Sequence, residues 1–314
     1  MSIDKTYPKE PNVQDQRITW NSTLWARRTV YHGWAWLRSR LRLALILYLL
    51  VLLLMTFLET WLVYPIPPIE RADWVAAELE HEEVWFHAED GTRLHGWLVP
   101  HREARRAIVY CHGNGEQVAD NIEVVERLRD RLQATVLIFD YRGYGHSEGK
   151  PNEAGLVADG LAAQKWLAEK LGLTTDKLVV MGRSIGGGVA VAMAAKQGAR
   201  ALVLENTFSR LVDVAASHYR WLPVRLLMRN RFDSLERIKN YQGPLFQSHG
   251  SADRVVPIEL GRELYQEAPS KQKRLLEIPG GDHNDESPDA YYHALVQFLD
   301  EVDATLVASF GREQ

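Results

Sequence analysis

Cysteine is almost missing from this 314-residue chain, where Cys111 stands alone. One cysteine excludes an internal disulfide and a thiolate zinc cluster within one chain. Cys111 falls in the apolar run Ala107-Ile108-Val109-Tyr110-Cys111, which reads as a buried small hydrophobe rather than a reactive thiol. There is also no excess of basic charge, with 37 Lys+Arg against 41 Asp+Glu and a formal net charge of -4. That balance carries no nucleic-acid footprint. Internal repeats and low-complexity tracts are lacking as well, so solenoids and disordered arrays are excluded.

One stretch lacks charge altogether. Between Arg42 and Glu59 every residue is uncharged, and the apolar run Leu43 to Tyr64 carries a charge only at Glu59. As a helix its roughly 22 residues reach about 33 Å, enough to cross a hydrocarbon core of about 30 Å. The bulky Leu-Glu-Thr-Trp-Leu-Val-Tyr-Pro that ends the run has no small-residue cleavage pattern, which favours an uncleaved anchor over a secretory signal. Lys5, Lys9, Arg17, Arg27, Arg28, Arg38, Arg40 and Arg42 precede the run, whereas Arg71 alone soon follows it. This asymmetry predicts a cytoplasmic N-terminus and an extracytoplasmic C-terminal part, periplasmic in a two-membrane bacterium. Trp34 and Trp36 on one side, and Trp61 and Tyr64 on the other, read as interfacial belts. The Trp- and Arg-rich segment ahead of Arg42 reads as lying along the inner membrane surface.

The expected organisation is therefore a cytoplasmic segment over 1–42, a transmembrane helix over 43–64, a linker over 65–80 and one soluble domain over 81–308. Pro65-Ile66-Pro67-Pro68 is a stiff spacer that cannot continue a helix. Glu83–His87 and Leu94–Val99, joined around Asp90-Gly91, read as an antiparallel hairpin. Beyond it, short apolar runs over 107–112, 135–140, 177–181, 201–205, 244–249 and 274–279 alternate with helical patterns over 117–132, 153–171, 187–196, 258–265 and 289–306. Continuous apolar strands alternating with helices define an α/β fold with a mostly parallel, doubly wound sheet.

Within that frame Gly182-Arg183-Ser184-Ile185-Gly186 falls between a strand and a helix. Small residues on both sides of Ser184 permit the sharp turn of a nucleophile elbow. The loops after the carboxyl ends of later strands face the same crevice, so the base and the acid are sought there. His283 lies in Gly280-Gly281-Asp282-His283-Asn284-Asp285, and Asp253 in His249-Gly250-Ser251-Ala252-Asp253. The order Ser184, Asp253, His283 is that of a serine hydrolase on this fold. Glu205, ending an earlier strand, is the rival acid; Asp282 and Asp285 read as shaping the loop of His283. Two backbone N–H donors are needed for an oxyanion, and Ile185 and Asn114, in His112-Gly113-Asn114-Gly115, are the candidates.

With these motifs in hand, and with Asp140-Tyr141-Arg142-Gly143-Tyr144-Gly145-His146-Ser147, the chain resembles the α/β-hydrolase superfamily from about Glu83 to about Leu299. It is most similar to the membrane-anchored, serine aminopeptidase-like branch of α/β-hydrolase domain proteins. The resemblance implies the α/β-hydrolase fold and a hydrolytic activity, with substrates ranging over esters, thioesters and peptides. It implies a structural rather than catalytic role for the Asp-Tyr-Arg-Gly stretch.

Between Glu205 and Gly243, Phe208, Trp221, Leu222, Leu226 and Leu227 mix with Arg210, Arg220, Arg225, Arg229 and Arg231. This reads as a small cap over about 206–242, either an apolar acyl pocket with a basic rim toward anionic lipid or an ordinary surface helix. Arg183 is set to meet either an anionic substrate group or an acidic neighbour. The expectation is a membrane-anchored serine hydrolase acting on a small-molecule or lipid acyl ester or thioester, with no cofactor, no metal and no nucleic-acid partner. The alternatives are an aminopeptidase, with Glu116 or Glu205 holding a substrate ammonium, and a non-catalytic membrane scaffold. A dehalogenase is disfavoured, because its nucleophile is a carboxylate.

Overall fold

The computed structural model describes residue 2 and residues 19–72, 74–75 and 79–310, with side chains at 2, 34, 36–72, 74–75 and 79–305. Lys5, Lys9 and Arg17, and the side chains of Arg27 and Arg28, lie outside the described residues. By contacts the chain forms two units, Met1–Phe57 and Leu58–Gln314.

The first unit contains most of helix α1, Thr19–Val63. A window within Trp36–Val63 has a mean hydropathy of 2.6 and no buried share, long and apolar enough to cross a membrane. The helix begins well ahead of Leu43, so the segment 19–42 is helical and continuous with the apolar run. Its last turn belongs to the second unit. Tyr64 is only 2 % exposed there and donates its hydroxyl to Asn230 Oδ1 at 2.8 Å, so it is a domain residue and not part of an interfacial belt.

Among the described residues of the second unit, eight strands form one sheet: β1 (Glu82–His87), β2 (Arg93–Val99), β3 (Arg106–Cys111), β4 (Ala134–Phe139), β5 (Val179–Arg183), β6 (Ala201–Glu205), β7 (Leu245–Gly250) and β8 (Lys273–Ile278). Their order is β1-β2-β4-β3-β5-β6-β7-β8. β1 pairs antiparallel with β2 and β2 with β4, while the remaining pairs are parallel. The connecting helices are α2 (Ile122–Leu132), α3 (Glu153–Leu171), α4 (Ile185–Gln197), α5 (Leu211–His218), α6 (Val224–Leu227), α7 (Ser234–Ile238), α8 (Ile258–Glu267) and α9 (Asp289–Phe310).

The strands are apolar on both faces because helices cover both. Val180, Leu202 and Leu204 pack with Leu156 and Leu167 of α3, Val189 and Met193 of α4 and Leu264 of α8. Their strand neighbours Val179, Met181 and Val203 point the other way, onto Val125 and Leu128 of α2 and Leu295 and Phe298 of α9. This period-two division between two layers is why the runs read as continuous rather than alternating. Cys111 is buried against Met193, with Sγ to Sδ at 3.5 Å, and burial pushes its thiol pKa up.

The Asp140–Ser147 stretch braces the sheet edge. Asp140 accepts from Val118 N at 2.9 Å and lies 2.9 Å from His95 Nδ1. Arg142 donates to the fully buried Asp159 from its amide, Nε and Nη2, and to Asp90 from Nη1. Buried charges persist only when paired this completely.

Candidate active site

The turn from β5 into α4 is sharp and crowded. Ser184 has φ 54° and ψ -120°, a region L residues avoid unless the surroundings impose it. The surroundings do so. Ser184 N donates to Glu205 O at 2.9 Å, and its carbonyl accepts from Thr207 Oγ1 at 2.7 Å. Only glycine fits on either side, because a Cβ at Gly182 would sit 2.2 Å from Gly186 O and one at Gly186 would sit 2.1 Å from Cys111 O.

His283 reaches the serine from the loop after β8. Its Nε2 is 3.1 Å from Ser184 Oγ and its Nδ1 is 2.7 Å from Asp253 Oδ2. The other carboxylate oxygen of Asp253 accepts from Val255 N and Val256 N, both at 2.8 Å. Burial alone would raise the Asp253 pKa. Hydrogen bonds from His249, His283 and the Val256 amide outweigh it and hold the carboxyl well below its usual range. An ionised Asp253 keeps the proton of His283 on Nδ1, leaving Nε2 as an acceptor toward the serine.

Asp282 and Asp285 shape this loop, as expected. Asp282 Oδ1 accepts from Arg254 N and His283 N, and Asp285 Oδ2 accepts from Asp282 N. Glu205 is buried beside Arg183 at the paired end of β5 and β6, and the hydrogen bond at His283 Nδ1 goes to Asp253 instead. Burial raises the Glu205 pKa.

In the turn after β3, Gly113 N is taken by Glu116 Oε2 at 3.0 Å. Asn114 follows it with its side chain fixed at both ends, donating from Nδ2 to Val63 O at 2.6 Å and accepting the Tyr144 hydroxyl at 2.8 Å. Ile185 is the first residue of α4.

Three residues here carry more than the sequence suggested. Arg183 Nη2 donates to His283 O at 2.8 Å, and its Nη1 lies 3.7 Å from Glu116 Oε1, so it faces an acidic neighbour. Asn206, held at φ 44°, donates from Nδ2 to the same His283 carbonyl at 3.0 Å and accepts Gly250 N at 3.0 Å. His249, buried on β7, donates from Nε2 to Val256 O at 2.9 Å and lies 3.4 Å from Asp253 Oδ2. Its place one residue before Gly250, just ahead of the Asp253 loop, is visible in the sequence; nothing local marks Asn206.

The geometry is that of a hydrolase of the α/β class. Residues 106–232 match the family model described as alpha/beta hydrolase fold. An uncharacterized Mycobacterium tuberculosis protein is 38% identical over 205 residues, covering 65% of this chain and 72% of the relative. YfhR of Escherichia coli K12 is 33% identical over 235 residues, covering 69% and 80%. The chain belongs to the α/β-hydrolase family. A solved esterase of Pyrococcus furiosus superposes with a TM-score of 0.64 over 75% of this chain and 96% of its own, at 21% identity, a likeness of fold.

Proposed function

We propose that this protein is a membrane-anchored serine hydrolase that cleaves carboxylic ester or thioester bonds of acyl substrates. The observation that carries the reading is the single imidazole of His283 bridging Ser184 Oγ at 3.1 Å and Asp253 Oδ2 at 2.7 Å. Ser184 Oγ attacks the acyl carbonyl while its proton passes to His283 Nε2. The amides of Ile185 and Asn114 receive the developing oxyanion. As the tetrahedral intermediate collapses, the proton moves from His283 to the leaving alkoxide or thiolate and an acyl-serine remains. Water, deprotonated by His283, then releases the carboxylic acid and restores the serine.

Two features favour this over an aminopeptidase. Glu116 and Glu205, the carboxylates named as candidates to hold a substrate ammonium, both have Arg183 as a cationic neighbour. The solved structures of like fold also include esterases, the Pyrococcus enzyme and Est1E of Butyrivibrio proteoclasticus among them. The apolar helix Trp36–Val63 supports anchoring, and the basic residues ahead of it support a cytoplasmic N-terminus with the hydrolase domain on the far side.

Membranes carrying wild type or Ser184→Ala, exposed to a fluorescent fluorophosphonate, test the nucleophile. Labelling confined to wild type is expected. A panel of short and long p-nitrophenyl esters beside aminoacyl amides then separates esterase from peptidase. A folded wild type that takes no label would leave a membrane scaffold as the reading to pursue.

A further inference from the structure

Two independent contacts join the end of the candidate span to the site. Val63 O, in the last turn of α1, accepts Asn114 Nδ2 at 2.6 Å, and Asn114 is the residue whose amide is proposed to bind the oxyanion. One turn earlier, Glu59 Oε1 accepts Arg229 N, Asn230 N and Asn230 Nδ2, each at 2.8 Å. Glu59 is only 9 % exposed, and a carboxylate so placed persists because these donors replace its water. All of these residues belong to the Leu58–Gln314 unit. The last turn of α1 is therefore bonded both to Asn114 and to the 229–230 segment of the cap.

The cap continues this surface outward. Arg231 Nη1 donates to Arg225 O at 2.9 Å, which ties the 229–231 segment to α6. On α6 Leu226 is 85 % exposed, and Trp221 just ahead of it is 60 % exposed; on the last turn of α1 Trp61 is 81 % exposed. Arg225 and Arg229 keep exposed side chains beside them. Apolar side chains interleaved with arginine suit the boundary between acyl chains and anionic headgroups.

We propose that the site takes its ester from an anionic bilayer, with the Trp221–Leu226 strip of the cap resting on lipid next to the last turn of α1. The proposal rests on the serine-hydrolase reading and deepens it. The substrate class is an acyl ester of a bilayer lipid, and the hydrolysis is the same acyl-serine sequence.

The full-length protein is reconstituted into phosphatidylcholine vesicles with and without phosphatidylglycerol. It is given a bilayer-partitioned umbelliferyl oleate and a water-soluble umbelliferyl acetate, and labelled with fluorophosphonate in parallel. For the Trp221→Glu, Leu226→Glu double variant the ratio of oleate to acetate turnover should fall about tenfold in phosphatidylglycerol vesicles, because two anionic groups then face an anionic surface. An unchanged ratio, with labelling intact, overturns the bilayer proposal alone. Absence of label and of both activities in wild type overturns it together with the hydrolase reading. Leu226→Cys carrying a polarity-sensitive dye gives a second readout if the double variant misfolds, since the native Cys111 is buried. A blue-shifted emission in vesicles supports the proposal, and a water-like emission overturns it.

Discussion

Arg183, the residue immediately before the candidate nucleophile, donates its Nη2 to the main-chain carbonyl of His283 at 2.8 Å. Asn206 fills the other lone pair of that carbonyl at 3.0 Å. The elbow thus holds the loop of its own base. Glycines at 280 and 281 would otherwise leave His283 on a pliant loop, and a base misplaced by a fraction of an ångström loses its serine.

Arg183→Met is therefore expected to lower kcat on a soluble ester by about ten- to hundredfold while KM changes little, because the loss is one of positioning. Asn206→Ala should act in the same direction, and the double variant should lose less than the product of the two, since both donors serve one carbonyl. Steady-state kinetics on the four proteins check this. Equal loss in KM would instead assign Arg183 to substrate binding.

The strain at Ser184 yields a stability prediction. With φ at 54°, glycine relieves what alanine retains. Ser184→Gly and Ser184→Ala should both be inactive, but the glycine variant should be more stable than the alanine variant by about 1–2 kcal/mol. In a domain of this size that is a Tm difference of several degrees, at about 2–4 °C per kcal/mol. Thermal unfolding of the two variants in the same detergent decides it.

Much of this site is legible in the amino-acid sequence alone. Alternating apolar runs and helical patterns locate the sheet and its helices to within two or three residues over most elements, because strands buried on both faces have an unmistakable composition. The convergence of Ser184, Asp253 and His283 follows from chain order and the rule that loops at the carboxyl ends share one crevice. What escapes is long-range and polar. Asn206 and Arg183 meet His283 through the parallel run of β5, β6, β7 and β8, and Tyr64 reads as an interfacial aromatic until Asn230, far along the chain, is seen to receive its hydroxyl. No local pattern encodes such partners.

Glu205 separates the two candidate acids by pH. Burial raises its folded-state pKa above the unfolded value of about 4.3. As pH rises past that value the unfolded chain releases its proton before the folded one, so wild type loses stability up to the folded pKa. Glu205→Gln abolishes this loss. Its stability relative to wild type should climb from about pH 4.3 upward, with turnover within a few-fold of wild type. Chemical denaturation at a series of pH values reads the first, and ester kinetics the second. A collapse of kcat would return the acid role to Glu205.

The last prediction concerns Arg142 and Asp159, where the structure separates stability from chemistry. Asp159 is fully buried and receives the Arg142 amide at 2.8 Å, Nε at 3.0 Å and Nη2 at 2.7 Å. Removing one partner of a buried pair costs about 3–5 kcal/mol when the other charge is left bare; without Asp159, Arg142 keeps Asp90 at 2.7 Å but loses its buried partner, so the lower part of that range is expected. Asp159→Ala should thus lower the Tm by about 10 °C. Asp159→Asn, which keeps an acceptor but loses the charge, should fall between that variant and wild type. The hydrogen bonds that join the triad involve neither residue, so turnover per fluorophosphonate-titrated site should match wild type below the unfolding transition. A fall in that per-site rate, measured well below the Tm, would show that the Asp140–Ser147 stretch shapes the crevice as well as the sheet edge.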